Sequence, residues 1–362
     1  MKLKLNKKIT IKYIFKTMLS GLIIVFMALA PTTIFNKLLI SQAQVNKEIE
    51  IKYMGILELW NIDTFEGGSK SRTSFLERQA LQFEKDYTGT FIMVYSMTKE
   101  QALLNLKNGQ KPDLVSFGIG VGDELIQSLI PLKSTYSVRD DLINGGRLND
   151  IQYALPYMMG GYVLISENEC QQNGEISQSI GFGGNADNCT LLSLGLNNIS
   201  AKNVFDRSND IDSFTAYDKY LDKNFDCLIG TQRDLYRVQN RIDKGNMTSR
   251  NFHYLRGYTD LLQYIGICST DYVKQEISQK FVEKLLSSKT QLSLVDYGMF
   301  STTNQPVFST GEMVKMQSAL NQPLKTISVF MNSDSIKSLQ NLCFNQVCKG
   351  EKLSKEINKF LV

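Results

Sequence analysis

Between residues 55 and 120 the chain alternates short apolar runs with amphipathic stretches, and a Gly or a polar turn closes each run. The spacing predicts a buried strand over residues 56–60 and a helix over residues 72–87. In that helix Phe75, Leu76, Ala80, Leu81 and Phe83 recur near the helical period. A second strand is expected over residues 90–95, a helix over 99–106, a turn at Gly109, and a third strand over 113–117 closed by Gly118 and Gly120. Strand, helix, strand, helix, strand is the order of a parallel sheet wound with helices. Such sheets bind ligands at the carboxyl ends of their strands.

Three phrases of this block, LELWNIDTFEGG, QFEKDYTGTFIMV and GQKPDLVSFG, resemble in order and spacing the first lobe of bacterial extracellular solute-binding proteins, the sugar-binding, maltose-binding-like receptors of ABC importers. A second likeness begins at DCLIGTQRDLYRVQNR: an apolar strand, a Gly, then a helix whose first residues face the cleft in that family. Bottom-up, Gly230 ends an apolar run and Thr231 is an acceptable helix cap. The resemblance implies an α/β, two-lobe periplasmic-binding-protein-like fold, each lobe a wound sheet flanked by helices, with a ligand cleft between the lobes. It implies a first lobe of residues 50–153 plus 261–305 and a second of 156–258 plus 308–362. Residues 153–168, with Pro156 and the Gly160-Gly161 pair, then read as the first crossing between lobes. Residues 169–191, rich in Gly, Asn, Ser and Gln, read as an exposed excursion, followed by a helix over 213–223 and a strand over 225–230. The return to the first lobe is expected through a strand over 261–268 and a helix over 273–286, and the last fifty residues as closing helices on the second lobe.

The 362 residues suffice for two lobes with cores of their own, and 43% hydrophobic with 21% charged residues is an ordinary globular composition. Net charge is only +4, and Lys2, Lys4, Lys7, Lys8, Lys12 and Lys16 crowd the amino terminus, so no basic face for nucleic acid is indicated. Those lysines precede an uncharged stretch over residues 17–36, which makes residues 1–45 a signal peptide or signal anchor and places the body of the protein outside the cytoplasm. Ser41-Gln42-Ala43 offers a cleavage site, while the long apolar stretch fits an uncleaved membrane anchor; both remain open. No Cys follows the apolar run to accept a lipid. Of the six Cys, Cys170 and Cys189 bracket a polar loop as the candidate disulfide, Cys227 and Cys268 read as buried thiols, and Cys343 and Cys348 would point to different faces of a continuous helix.

If ligand sits between lobes, the loop after the first strand supplies Trp60, Asp63, Glu66, Gly67, Gly68, Lys70 and Arg72. Trp60 either stacks on a sugar or packs in the core, and Gly67-Gly68 either presents amides to an anion or forms a tight turn. Gly118 ends the third strand where a side chain would block a cleft, and Tyr157 follows the crossing Pro. From the second lobe come Thr231, Gln232 and Arg233, at positions where sugar-binding relatives often carry an aromatic residue. The second crossing adds Tyr258 and Asp260. Arg233, Arg237 and Arg241 share a helical face, of which Arg233 alone lies in the first turn and is expected to reach a cleft. With Lys70 and Arg72 it points to an acidic ligand, a uronic-acid-containing or phosphorylated compound.

Catalytic groups are scarce. His253 is the only His, and there is no Gly-x-Ser-x-Gly elbow, no P-loop and no zinc spacing. Asp63 and Glu66 are the only carboxylate pair of the loop that a glycosidase reading would use. Together with this scarcity, the resemblance implies a receptor, not an enzyme, that needs no cofactor and hands a small solute, a carbohydrate, to ABC permease subunits. A membrane-anchored sensor or adhesion module of the same fold, or a polysaccharide-processing enzyme, are the competing readings.

Overall fold

Strand β1 (Gly55–Ile62) begins with alternating exposure and ends fully buried, from Leu59 to Ile62, where it enters the middle of a sheet. Helix α1 (Arg72–Asp86) follows; Ser71 caps it by accepting the Ser74 N–H, and Phe75, Leu76, Ala80 and Phe83 form its buried stripe. Strand β2 (Thr90–Met97), helix α2 (Lys99–Lys107) and strand β3 (Leu114–Phe117) complete the expected series. Thr98 and Gln101 start α2 with a reciprocal capping box. β1 pairs in parallel with both β2 and β3, as a wound sheet requires.

The computed structural model describes residue 18 and residues 53–362, except residues 66, 134–135, 170, 183–186, 203–211 and 351–354. The expected signal or anchor segment, residues 1–45, therefore lies outside the described residues apart from Met18. No helix among those described is long and apolar enough to cross a membrane.

Two sheets organise the rest. β4 (Ala154–Met159) and β5 (Tyr162–Ser166) are separated only by Gly160-Gly161, yet they belong to different sheets. Beyond them come β6 (Ile180–Phe182), helix α3 (Thr190–Leu196), helix α4 (Ser213–Leu221), β7 (Cys227–Thr231), helix α5 (Gln232–Asp243) and β8 (Asn251–Tyr254). β9 (Leu262–Ile267), helix α6 (Tyr272–Leu285), helix α7 (Glu312–Leu320) and helix α8 (Ser333–Lys349) close the chain. The first sheet has the order β2-β1-β3-β9-β4 and the second β6-β7-β5-β8. β9 runs antiparallel to both β3 and β4, so the returning chain slots into the first sheet between them. This is the two-lobe α/β architecture the sequence led us to expect.

Two details differ from the sequence reading. The crossing read over residues 153–168 is not one continuous strand: residues 154–159 pair in the first sheet and residues 162–166 in the second, with Gly160-Gly161 between them. The polar stretch 169–191 is no mere excursion: it carries β6, an edge strand parallel to β7, and a small hairpin pairing Gln171–Gln172 with Glu175–Ile176. A three-residue edge strand has too little apolar content for its pattern to show.

Of the candidate disulfide, Cys170 lies outside the described residues, and Cys189 is a buried free thiol. Cys343 and Cys348 both sit buried on one uninterrupted helix, α8. α8 packs along α3 of the second lobe, where Gln340 Nε2 donates to the Asn188 carbonyl at 3.0 Å. Arg139, itself buried, ties the region before β4 to the end of α7. Its guanidinium donates to both carboxylate oxygens of Asp141 and to the carbonyls of Leu320 and Gln322 at 2.8 and 3.2 Å.

Candidate ligand cleft

Helix α5 starts where β7 ends. The Thr231 hydroxyl accepts the Arg233 N–H at 3.3 Å, and the Asp234 carboxylate accepts the Thr231 N–H at 2.9 Å, a capping box that fixes the first turn. That turn projects Gln232 inward. Its Oε1 accepts the Gly161 N–H at 3.1 Å, and its Nε2 donates to the Gly67 carbonyl at 3.3 Å. Gln232 thus joins the helix to the sheet crossing and to the loop after β1. A second polar tie across the lobes is the ion pair of Lys99 Nζ, at the start of α2, with Asp187 Oδ2, just before α3, at 3.0 Å.

Two cavities flank the loop after β1. One, of about 550 Å³, lies between that loop and α5; among the described residues Lys70, Arg72, Arg233, Arg237 and Asp63 line it, and Asp234 pairs with Arg237 from beneath at 3.9 Å. Phe65 and Tyr236 add aromatic wall. The other, of about 400 Å³, is lined by Asp63 and Thr64, by Ser96 to Gln101 at the end of β2, and by Asp187. Both volumes fall in the range of small-molecule sites. Asp63, half exposed, is the charged side chain common to the two.

Asp63 is held by the residues beneath it. Its Oδ1 accepts Asn61 Nδ2 at 3.0 Å and Arg72 Nε at 3.0 Å. Arg72 is only 3% exposed, donates also to the Phe65 carbonyl, and lies 4.2 Å from the Phe65 ring. Its remaining terminal nitrogen, Nη1, is buried and has no hydrogen-bond partner among the described residues. Below Asn61 a buried polar chain runs through Ser116 to the Tyr157 hydroxyl and to Gln263 Nε2, each contact 2.8–2.9 Å. This network positions the loop from inside the first lobe.

The residues expected at a site divide into three groups. Asp63, Gly67, Gly68, Lys70, Arg72 and Arg233 line the larger cavity. Thr231 and Gln232 stand behind it: both are buried, one as cap and the other as interlobe tie. The remainder are elsewhere. Trp60, at 3% exposure, packs in the core of the first lobe, and Tyr157 is enclosed beside Phe75, so in this conformation neither ring faces a cleft. Gly118 is not a clearance for ligand but for Thr64, whose hydroxyl would stand 2.0 Å from an added Cβ. Gly68 likewise permits the loop to touch the Tyr297-Gly298 backbone, where a Cβ would meet the Tyr297 carbonyl at 2.2 Å. Glu66 lies outside the described residues.

Asp260 and Tyr258 are buried under the second crossing. Asp260 accepts the Tyr162 hydroxyl at 2.5 Å and the Cys189 N–H at 2.7 Å, and Tyr258 stacks parallel on Tyr162. Burial pushes the Asp260 carboxyl above the usual carboxylate range despite these bonds. The pair organises the crossing and lines neither cavity. Arg237, Lys99 and Asp187 are among the cavity residues that the sequence did not place at a site. Arg237, expected not to reach a cleft, lies one turn beyond Arg233 on the same side of α5 and stacks over Tyr217 with its guanidinium 5.0 Å from the ring centre. Its spacing from Arg233 was the available signal. Lys99 and Asp187 are 88 positions apart, and no local pattern joins them.

Comparison with solved structures bears on this geometry. The sugar-binding protein MalE of Xanthomonas citri superposes with a TM-score of 0.60 over 84% of this chain and 95% of its own, at 10% identity. The fold is that of the sugar-binding receptors. The GacH receptor of Streptomyces glaucescens, known unliganded and with acarbose, matches at TM-score 0.56 and 13% identity over 84% and 95% of the two chains. A maltodextrin-binding protein of L. casei matches at 0.55 and 10% over 82% and 94%. No protein-family model matches the sequence, and no curated protein does.

Proposed function

We propose that the chain is an extracytoplasmic receptor that captures a carbohydrate bearing an anionic group in the cleft between its lobes and presents it to the permease of an ABC importer. The observation that carries this reading is the cavity that Lys70, Arg72, Arg233 and Arg237 line, together with a fold used by known sugar receptors. A carboxylate, sulfate or phosphate on a sugar would add charge-assisted bonds there to those that Arg72 makes with Asp63 and Arg237 with Asp234. The absence of an aromatic residue at the start of α5, where Gln232 and Arg233 stand, agrees with a ligand gripped by charge more than by stacking. His253, on β8, lines neither cavity, which fits a receptor better than a hydrolase. Export by the amino-terminal segment and retention through it, where uncleaved, complete the proposal. So does a division into a first lobe around the β2-β1-β3-β9-β4 sheet and a second around β6-β7-β5-β8.

The test is thermal unfolding of the purified full-length chain against neutral oligosaccharides, uronic acids, sugar phosphates and amino acids. A compound at about 100 times its dissociation constant adds roughly 2.7 kcal/mol, a shift of several degrees. Stabilisation by acidic sugars, with affinity lowered by about 1.5–3 kcal/mol in Arg233→Ala, is the expected result. Stabilisation by neutral sugars alone removes the anionic feature, and no stabilisation by any compound removes the small-solute reading. Co-purification with permease subunits tests the partner.

A further inference from the structure

The two cavities that meet at Asp63 carry opposite charge. Among the described residues, the larger is lined by Lys70, Arg72, Arg233 and Arg237 with Asp63, Arg72 being paired with Asp63 and Arg237 with Asp234; the smaller is lined by Asp63, Glu100 and Asp187 with Lys99, which is paired with Asp187. We propose that the ligand is correspondingly polar: an acidic saccharide whose charged unit fills the larger cavity and whose adjoining neutral unit extends past Asp63 into the smaller one. This rests on the receptor reading above and adds to it the length and charge order of the ligand.

Three observations support the assignment. Asp63 is shared by both cavities, and its described bonds, from Asn61 and Arg72, go to Oδ1, so its second oxygen takes no bond from a described residue and can accept a sugar hydroxyl at the junction. Glu100, on the first turn of α2, stays ionised to lower pH than a free carboxylate because its own backbone N–H and the Thr98 hydroxyl bond to it. A second anionic unit in the smaller cavity would face that charge and those of Asp63 and Asp187. Hydroxyls instead donate to carboxylates, and Ser96, exposed on the last turn of β2, adds a further polar group.

Calorimetric titration of the full-length protein at low ionic strength decides the matter. The probes are glucuronic acid, the disaccharides of glucuronic acid with one neutral hexose in both orders, a diglucuronic acid, and a neutral disaccharide. One of the mixed disaccharides should bind at least tenfold tighter than glucuronic acid and tighter than the diglucuronic acid. Glu100→Gln should narrow the preference for the mixed over the doubly charged disaccharide at least threefold. Ser96→Trp, which fills the smaller cavity, should cut the gain of the mixed disaccharide over the monosaccharide at least fivefold. Because Ser96 and Glu100 are exposed, both variants should unfold at the temperature of the parent, and Glu100→Gln stands as the second check if the Trp disturbs β2. A diglucuronic acid that binds as well as the mixed compound, or a gain that survives both substitutions, overturns the charge order. Binding of glucuronic acid without any gain from a second unit overturns the length while leaving the receptor reading intact. Failure of every probe overturns the receptor reading and this inference with it.

Discussion

Arg72 and Arg139 are both buried guanidiniums, and they differ in how completely they are satisfied. Arg139 spends its donors on both oxygens of Asp141 and on two backbone carbonyls, whereas Arg72 leaves Nη1 unpartnered among the described residues. A buried charge with a full set of partners is costly to break, because the groups left behind lose both water and counter-charge. Arg139→Met should therefore destabilise the protein by about 3–5 kcal/mol, read as a lower urea midpoint with unchanged slope, since the Leu320 carbonyl loses the guanidinium and the Asp141 carboxylate keeps only the Leu324 N–H. A loss below about 1 kcal/mol would mean that water replaces the guanidinium at no cost. Arg72 has the opposite character: the unsatisfied nitrogen is a reserve of hydrogen-bonding capacity beside a ligand cavity, consistent with a site that is completed by something it binds.

At the scale of elements, the decisive one is the first turn of α5, which sets Gln232 against the lobe crossing and Arg233 in the cavity. Thr231→Ala removes the side-chain acceptor of that turn and should cost about 1 kcal/mol of stability. If the cap positions Arg233, affinity for glucuronic acid should fall with it and return in Thr231→Ser, which restores the hydroxyl; loss of stability with unchanged affinity would separate cap from site. The same element shows what the sequence can reveal. Gly230 followed by Thr231 and a helix with arginines every fourth residue is a local pattern, so the strand end, the cap and the cationic face were all legible. The βαβαβ series of the first lobe was legible for the same reason, with boundaries within a few residues of those observed. What could not be read was the depth of a side chain. Trp60, Tyr157, Tyr258 and Asp260 sit in or next to strands and crossings, and only tertiary packing, such as Phe75 of α1 beside Tyr157 and Tyr162 of β5 against Tyr258 and Asp260, decides that each is buried. Pairings such as Lys99 with Asp187 lie beyond any local signal, because they exist only once two lobes have folded and met.

For the molecule as a whole, the ties that span the lobes matter more for function than for folding. A receptor of this architecture works by coupling ligand to the population of the closed form, and any contact present only on closure shifts that equilibrium by its own free energy. In the proposed receptor the Lys99–Asp187 ion pair and the Gln232–Gly67 hydrogen bond, one beside each cavity, would be contacts of this kind. The ion pair is partly exposed, so a double-mutant cycle with Lys99→Met and Asp187→Asn should give about 0.2–1 kcal/mol of coupling, at most about a fivefold change in the closed population. Fluorescence energy transfer between dyes on the two lobes would measure it directly. Because closure is common to every ligand, the variants should weaken glucuronic acid and longer saccharides by the same factor, unlike Ser96→Trp, whose effect depends on ligand length. Salt should reproduce the effect in the parent protein and not in the double variant, since screening acts on the exposed pair and leaves the Gln232 amide bond untouched. Identical domain distances in all four proteins at low and high salt would show that the ion pair follows closure without contributing to it, and would leave Gln232 as the tie through which the first turn of α5 senses the opposite lobe.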